Sequence, residues 1–428
     1  MYDSNRMARP MNKFLISLFC TLLFIGCTVK PPQYRVIQID KSGEAVNPEN
    51  GIVFNSEADF QKYIDSVLTT KNDTIFIYIH GGLKSTNKCN KDAAKLTETL
   101  PKNYTPVFIH WRSGFWSTYK DHLFFLRQDK YRPVAGPLTS PFILIYDLAR
   151  GIVFTPLTWW YQRESYFKGV TFNPDKSHWK INIQGFGDIT ELTEDFDTRS
   201  GKLKFGYGIA GLLKLPWGLI AAPFLEATGS PAWDVMKLRI EVLSANREKG
   251  LDTFAQALTE YQNNNKDKKI VLVAYSMGAF IANNILSQHP DIELSKIIYL
   301  AAGCSIKDFQ NAVIPYLTKH KSTKFYSYSL HPAAENLETK WFGLRGTGSL
   351  LNQIDRIYER PAKGNHRTMG KWENVMKGIH YFNDDRVKSS IFLRTMKFDD
   401  SYPTKHSHFE ASKFSEYYPK VFKEMLRD

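Results

Sequence analysis

The stretch "KKIVLVAYSMGAFIANNIL", residues 268–286, changes rhythm in its middle. "KIVLVAY" (269–275) is a β-branched run of the kind that forms a buried strand, whereas "MGAFIANNILSQH" (277–289) spaces Phe280, Ile281 and Ile285 as on one face of a helix. Ser276 therefore stands at a strand-to-helix corner. The residues two before and two after it, Ala274 and Gly278, are both small. A nucleophilic serine needs such a corner, because a sharp turn lifts its Oγ above the sheet only if strand and helix can approach closely. The amide of Met277 opens the helix and would face an oxyanion formed at the same place. A serine at a helix start is also a common cap, so the surrounding chain has to support the chemical reading.

Working outward, "TIFIYIH" (74–80) is a near-continuous apolar run, as in a strand buried on both faces, and it leads into His80, Gly81 and Gly82. "YRVIQI" (34–39) and "PVFIHW" (106–111) are further strands. "EADFQKYIDSVL" places Phe60, Ile64 and Val67 on one helical face, and "NKDAAKLTETLPKNY" reads as a helix. Strand, helix, strand in succession predicts right-handed parallel crossovers. Beyond residue 232, "WDVMKLRIEVLSANR" and "LDTFAQALTEYQNN" read as helices, and "KIIYLAAG" (296–303), "KFYSYSL" (324–330) and "SIFLRTM" (390–396) as strands. The expected class is α/β, with a mostly parallel central sheet flanked by helices.

The motif "AYSMG", the "IYIHGG" loop after an earlier buried strand, and the order of the remaining strands resemble the α/β-hydrolase family, specifically its serine esterases and lipases. The resemblance covers about residues 34–112 and 233–426, with Ala274 standing where the family's elbow has glycine. It implies a nucleophile, an acid after the penultimate strand or the one before, and a histidine after the last, in that order. Ser276 would be the nucleophile. His406, in the loop before a tail helix that carries Phe414, Tyr418, Val421 and Met425 on one face, best matches the general base, with His408, which is nearer the helix start and suits a cap or packing role, as the alternative. Glu335, after the strand ending near Leu330, best matches the acid, with Asp308 and Asp355 as alternatives. Amides near Gly82 and Met277 would form the oxyanion site, and His80 would be structural. The implied activity is cleavage of carboxylic esters through an acyl-enzyme, on lipidic or other hydrophobic acyl substrates, with no cofactor. The sequence has no HExxH, CxxC, P-loop or GxGxxG motif. The rival expectation is a hydrolase fold without chemistry, acting as a binding or scaffold protein, in which Ala274 marks drift.

The two halves of this core, 28–112 and 233–428, flank an insertion at 113–232. It holds two apolar blocks, "PLTSPFILIYDLARGIVFTPLTWWY" and "YGIAGLLKLPWGLIAAPFLEA". Asp147, Arg150, Lys214 and the prolines interrupt them, which argues against simple transmembrane spans. The expectation is a lid or cap that packs on the core, covers a pocket or touches lipid, with Trp159, Trp160 and Trp217 as interfacial anchors. Residues 165–208 between the blocks are turn-rich and suit an added hairpin.

At the N-terminus Arg6, Arg9 and Lys13 precede the short apolar run "FLISLFCTLLFIG", which ends at Cys27, the layout of an export signal over residues 1–27. "FIGC" resembles a bacterial lipobox with Phe24 in place of leucine, which implies a lipidated Cys27 and a chain anchored in the cell envelope. A formal charge of +13 favours anionic surfaces, and for an exported chain that means lipid head groups rather than nucleic acid. Cys89 and Cys304 are expected as free or buried thiols. With 43% hydrophobic residues the chain can bury one large core or two ordinary ones, which excludes disorder for most of it.

Overall fold

The apolar runs named above pair side by side. A computed structural model describes residues 35–174, 184–192, 219, 222–245, 249–338 and 348–427. The expected export signal at 1–27, with Cys27, and Trp217 lie outside the described residues. The strands are β1 (Val36–Ile39), β2 (Ala45–Val46), β3 (Thr74–Ile79), β4 (Tyr104–Trp111), β5 (Leu126–Arg127), β6 (Lys130–Tyr131), β7 (Asp188–Ile189), β8 (Lys269–Tyr275), β9 (Lys296–Leu300), β10 (Lys324–Ser329) and β11 (Ile391–Thr395). Nine of them form one sheet in the order β2-β1-β4-β3-β8-β9-β10-β11-β7. Every pair is parallel except β1 with β2. The central strands have no solvated face: all six residues of β3 are buried, as are six of the seven in β8. This burial explains why they read as continuous apolar runs rather than alternating ones.

Parallel neighbours require crossovers, and helices supply them. They are α1 (Glu57–Leu68), α2 (Thr86–Thr99), α3 (Phe115–Phe124), α4 (Ala135–Val170), α5 (Ser230–Ala245), α6 (Gly250–Asn264), α7 (Gly278–Gln288), α8 (Ile306–Lys319), α9 (Pro332–Leu337), and, past two short helices in the loop before β11, α10 (Ala411–Tyr417) and α11 (Pro419–Arg427). Helix α1 shows the logic. Ser56 caps it by accepting from Asp59 N, and Phe60, Ile64 and Val67 form its buried stripe, as their spacing predicts. Cys89 and Cys304 are both free and buried.

The insertion departs from expectation in two ways. The hairpin expected within 165–208 is not seen in its described residues; β7 instead joins the main sheet, parallel to β11. A hairpin does occur earlier, between β5 and β6, where Gln128 (φ 50°) and Asp129 (φ 61°) make the tight two-residue turn. The first apolar block, with Asp147, Arg150 and two prolines inside it, is one continuous 36-residue helix, α4. Among the described residues it is the one helix long and apolar enough to cross a membrane.

Candidate active site

β8 delivers Ser276 at its C-terminal end in the left-handed region, with φ 52°. That conformation costs a non-glycine residue on the order of 1–2 kcal/mol, so neighbours must hold it. They do so from the adjoining strand: Ser276 N–H donates to Leu300 O (2.9 Å), and Ser276 O accepts from Gly303 N (2.9 Å). The corner also requires missing side chains. A Cβ on Gly278 would meet Ile79 O at 2.5 Å, one on Gly81 would meet Ser276 Cβ at 2.9 Å, and one on Gly82 would meet Met277 Sδ at 2.6 Å. The glycines of "HGG" and "SMG" are thus two halves of one fit, although 195 residues separate Gly81 from Ser276 in the sequence.

His406 arrives from the turn that follows β11, and its Nε2 lies 3.0 Å from Ser276 Oγ, with both residues buried. For Nε2 to accept the serine proton, the ring must carry its hydrogen on Nδ1. Three further contacts fix the histidine. Its ring lies against Tyr275, with centroids 5.3 Å apart. The Tyr275 hydroxyl donates to His406 O (3.2 Å), and His406 N–H donates to Glu338 Oε2 (2.7 Å). His408 turns away, and its Nδ1 pairs with the Tyr418 hydroxyl at 2.8 Å, a packing position.

Each of the three candidate acids is engaged by other partners. Glu335 sits in the first turn of α9, fully buried, where it accepts from the Ser349 hydroxyl. Burial pushes its carboxyl well above the usual range, more than the charge of Lys371 can offset. Asp308 is occupied as the capping-box partner of Ser305 at the start of α8. Asp355 accepts from Thr368 N (2.9 Å) and Asn374 Nδ2 (2.6 Å). A fourth carboxylate, Glu338 at the C-cap of α9, accepts from the backbone N–H of His406 and was not singled out in the sequence. The signal was present: "PAAENLE" carries glutamates three apart on a helix only six residues long, and its second one stands at the open end of that helix.

Beside Ser276 the glycine loop is held in place by His80. Its Nε2 accepts from Trp111 N (3.2 Å), so Nδ1 donates to Gly81 O (2.6 Å), and its ring stacks on Trp111. Burial, with help from the charge of Lys84, pushes the His80 imidazole down to about 3, which keeps it neutral and structural. Leu83 is also left-handed, at φ 66°, and its N–H is spent on Ser113 O (2.9 Å). The amides of Gly82 and Met277 take no part in the loop and turn hydrogen bonds among the described residues.

A cavity of about 320 Å³ opens over this corner, with Leu83, Tyr275 and Leu350 in its wall and Lys84, Lys88 and Glu410 on the side facing the α2 start. Lys84 is buried and pairs with Asp92 (2.9 Å) and with Glu410. Burial and the hydrogen bond to Glu410 push Asp92 up to about 6. Burial would raise Glu410 too, but Asp92, Lys84 and Lys88 hold it below the usual carboxylate range. Among the described residues, no group of three or more His, Cys, Asp or Glu side chains is placed to hold a metal ion. No family model, curated protein or solved structure matches the chain.

Proposed function

We propose that the chain is a serine hydrolase of the α/β-hydrolase type that cleaves carboxylic esters through an acyl-enzyme. The observation that carries the proposal is the pairing of a strained, buried Ser276 at a strand-to-helix corner with His406 Nε2 at 3.0 Å. Supporting it, the nucleophile, the Glu338 carboxylate and the histidine follow the parallel strands β8, β10 and β11 in turn, the order that fold family uses. In the proposed reaction Ser276 Oγ attacks the acyl carbon as His406 Nε2 takes its proton. The oxyanion is met by the amides of Met277 and Gly82, and the proton passes to the departing alkoxide. Water, deprotonated by the same imidazole, then attacks the acyl-enzyme and releases the acid with Ser276 regenerated. Glu338 positions the histidine loop and favours the imidazolium.

The substrates we propose are lipid-like esters. Leu83 and Leu350 supply apolar wall, and Lys88, half exposed at the rim, suits an anionic group on the substrate. The site would act at the cell envelope, to which a lipidated Cys27 would tether the chain. Reaction of the purified protein with a fluorophosphonate probe tests the enzyme reading. Labelling is expected in the parent and lost in Ser276→Ala; folded protein that takes no label would leave the binding or scaffold role instead.

A further inference from the structure

Helix α4 is built inside out. Its outward face is apolar: Leu138, Phe142, Ile152 and Val153 are each 69–72% exposed, and Ile145 is 64% exposed. Its inward face is polar or bare. Asp147 is buried, and its Oδ2 accepts from the Tyr119 hydroxyl (3.2 Å) and pairs with His122 Nε2 (3.1 Å). Thr158, also buried, donates to Glu226, which pairs in turn with Arg360. Between these contacts the helix backbone approaches the body at glycines. A Cβ on Gly136 would lie 2.1 Å from Phe124 O, and one on Gly151 would lie 2.5 Å from Pro223 O. A helix on a water-facing surface shows the opposite pattern, because apolar side chains gain by leaving water. Polar and small residues inward with apolar residues outward is the pattern of a helix whose outer medium is hydrocarbon.

Three further observations favour lipid as that medium. Residues 135–162 contain only two charged side chains, Asp147 and Arg150, and the first of these is turned inward. Cations stand at both ends of this interval, with Lys130 and Arg132 before it and Arg163 and Lys168 after it. Arg163 lies 5.5–5.8 Å from the ring centroids of Trp159, Trp160 and Phe167, a cation among aromatics of the sort found at head-group level. The contacts at Gly136, Gly151 and Gly169 tie α4 to the body from its first turn to its last. Tied in this way along about 54 Å, it cannot cross a hydrocarbon layer ~30 Å thick by itself.

We propose that α4 lies in the plane of an anionic bilayer, its outward face sunk into the acyl region and its basic ends among the head groups. This contact is independent of Cys27 and of the chemistry at Ser276. Its test is photocrosslinking of the full chain in phosphatidylethanolamine–phosphatidylglycerol vesicles, with benzoylphenylalanine placed singly at Leu138, Ile145 or Ile152. Ile52 and Tyr417, which are 62% and 57% exposed elsewhere, serve as controls. Lipid adducts are expected from the α4 positions at roughly tenfold or more the yield of the controls, in keeping with burial below the head groups. With Ile145→Glu and Ile152→Glu added, the Leu138 position should lose its lipid adducts while the thermal unfolding transition stays in place. Equal yields at α4 and control positions, adducts to residues 203–221 of the same chain, or adducts to a second copy would each overturn the proposal.

Discussion

The corner at Ser276 and the helix α4 solve opposite problems with the same device. Both depend on glycines that let backbone approach backbone: Gly278 against Ile79 O, and Gly136 and Gly151 against Phe124 O and Pro223 O. At the corner the close approach is surrounded by the apolar core of β3, β8 and β9, and it forces one polar side chain, Ser276, toward a cavity. Along α4 the close approach is lined with polar groups, and the apolar side chains are turned out. The lesson is that small residues fix where two elements touch, while the medium beyond them decides which side chains face it.

The sharpest way to break this comparison is at the corner's chemistry. Ser276→Ala is expected to lower esterase kcat by a factor on the order of 10^4 to 10^6, measured with a chromogenic ester, with the denaturation midpoint little changed. Next comes the corner's fit. Gly278→Val drives a side chain into Ile79 O and should cost about 3 kcal/mol in urea unfolding, or prevent folding. Glu338→Gln should reduce kcat roughly ten- to hundredfold by loosening the histidine loop, whereas Glu335→Gln, at a buried carboxyl that accepts from Ser349, should change it by no more than about twofold. If the two variants behaved alike, the assignment of Glu338 would fail.

A smaller effect separates the regions by pH. His80 is held neutral, its value pushed down to about 3 from 6.5, and burial lowers His110 beside it in the same direction. The unfolded chain therefore binds protons that the folded chain does not, and stability must fall as pH drops from about 6.5 toward 3. The slope approaches ~1.4 kcal/mol per pH unit for each histidine. Urea unfolding at pH 7 and pH 5 should show the loss, and His80→Asn should make it shallower. The smallest effect is expected on α4, where Leu138→Ser should shift unfolding in detergent-free buffer by no more than about 0.5 kcal/mol, since that side chain is 72% exposed.

The sheet and the serine–histidine pair were legible in the sequence because their signals are local. β-branched runs such as "KIVLVAY" and "TIFIYI" are strands whatever surrounds them, and the corner is written in five consecutive residues. The place of Glu338 was not legible, because its contact with the His406 backbone depends on which side of a six-residue helix meets a loop some 70 residues downstream. Helix α4 was legible only in part: contact with lipid was among the expectations for the insertion, but a single continuous helix was not. Reading Asp147, Arg150 and the prolines as interruptions hid the helix's continuity, because in α4 the aspartate has its partners within the protein. The charge cluster of Lys84, Asp92 and Glu410 gave no sequence signal, since its members meet only once the tail returns to α2.

The two ends of the sheet have a consequence for how this chain is handled. β2 at one edge and β7 at the other are each only two residues long, and β2 runs against its neighbour. Among the described residues neither edge offers a long row of open amides onto which a second molecule could add a strand. Precipitation of this chain when detergent is withdrawn should therefore be greasy rather than fibrillar: clumps joined through α4 that redissolve in mild detergent, without the 4.7–4.8 Å spacing of cross-β stacking.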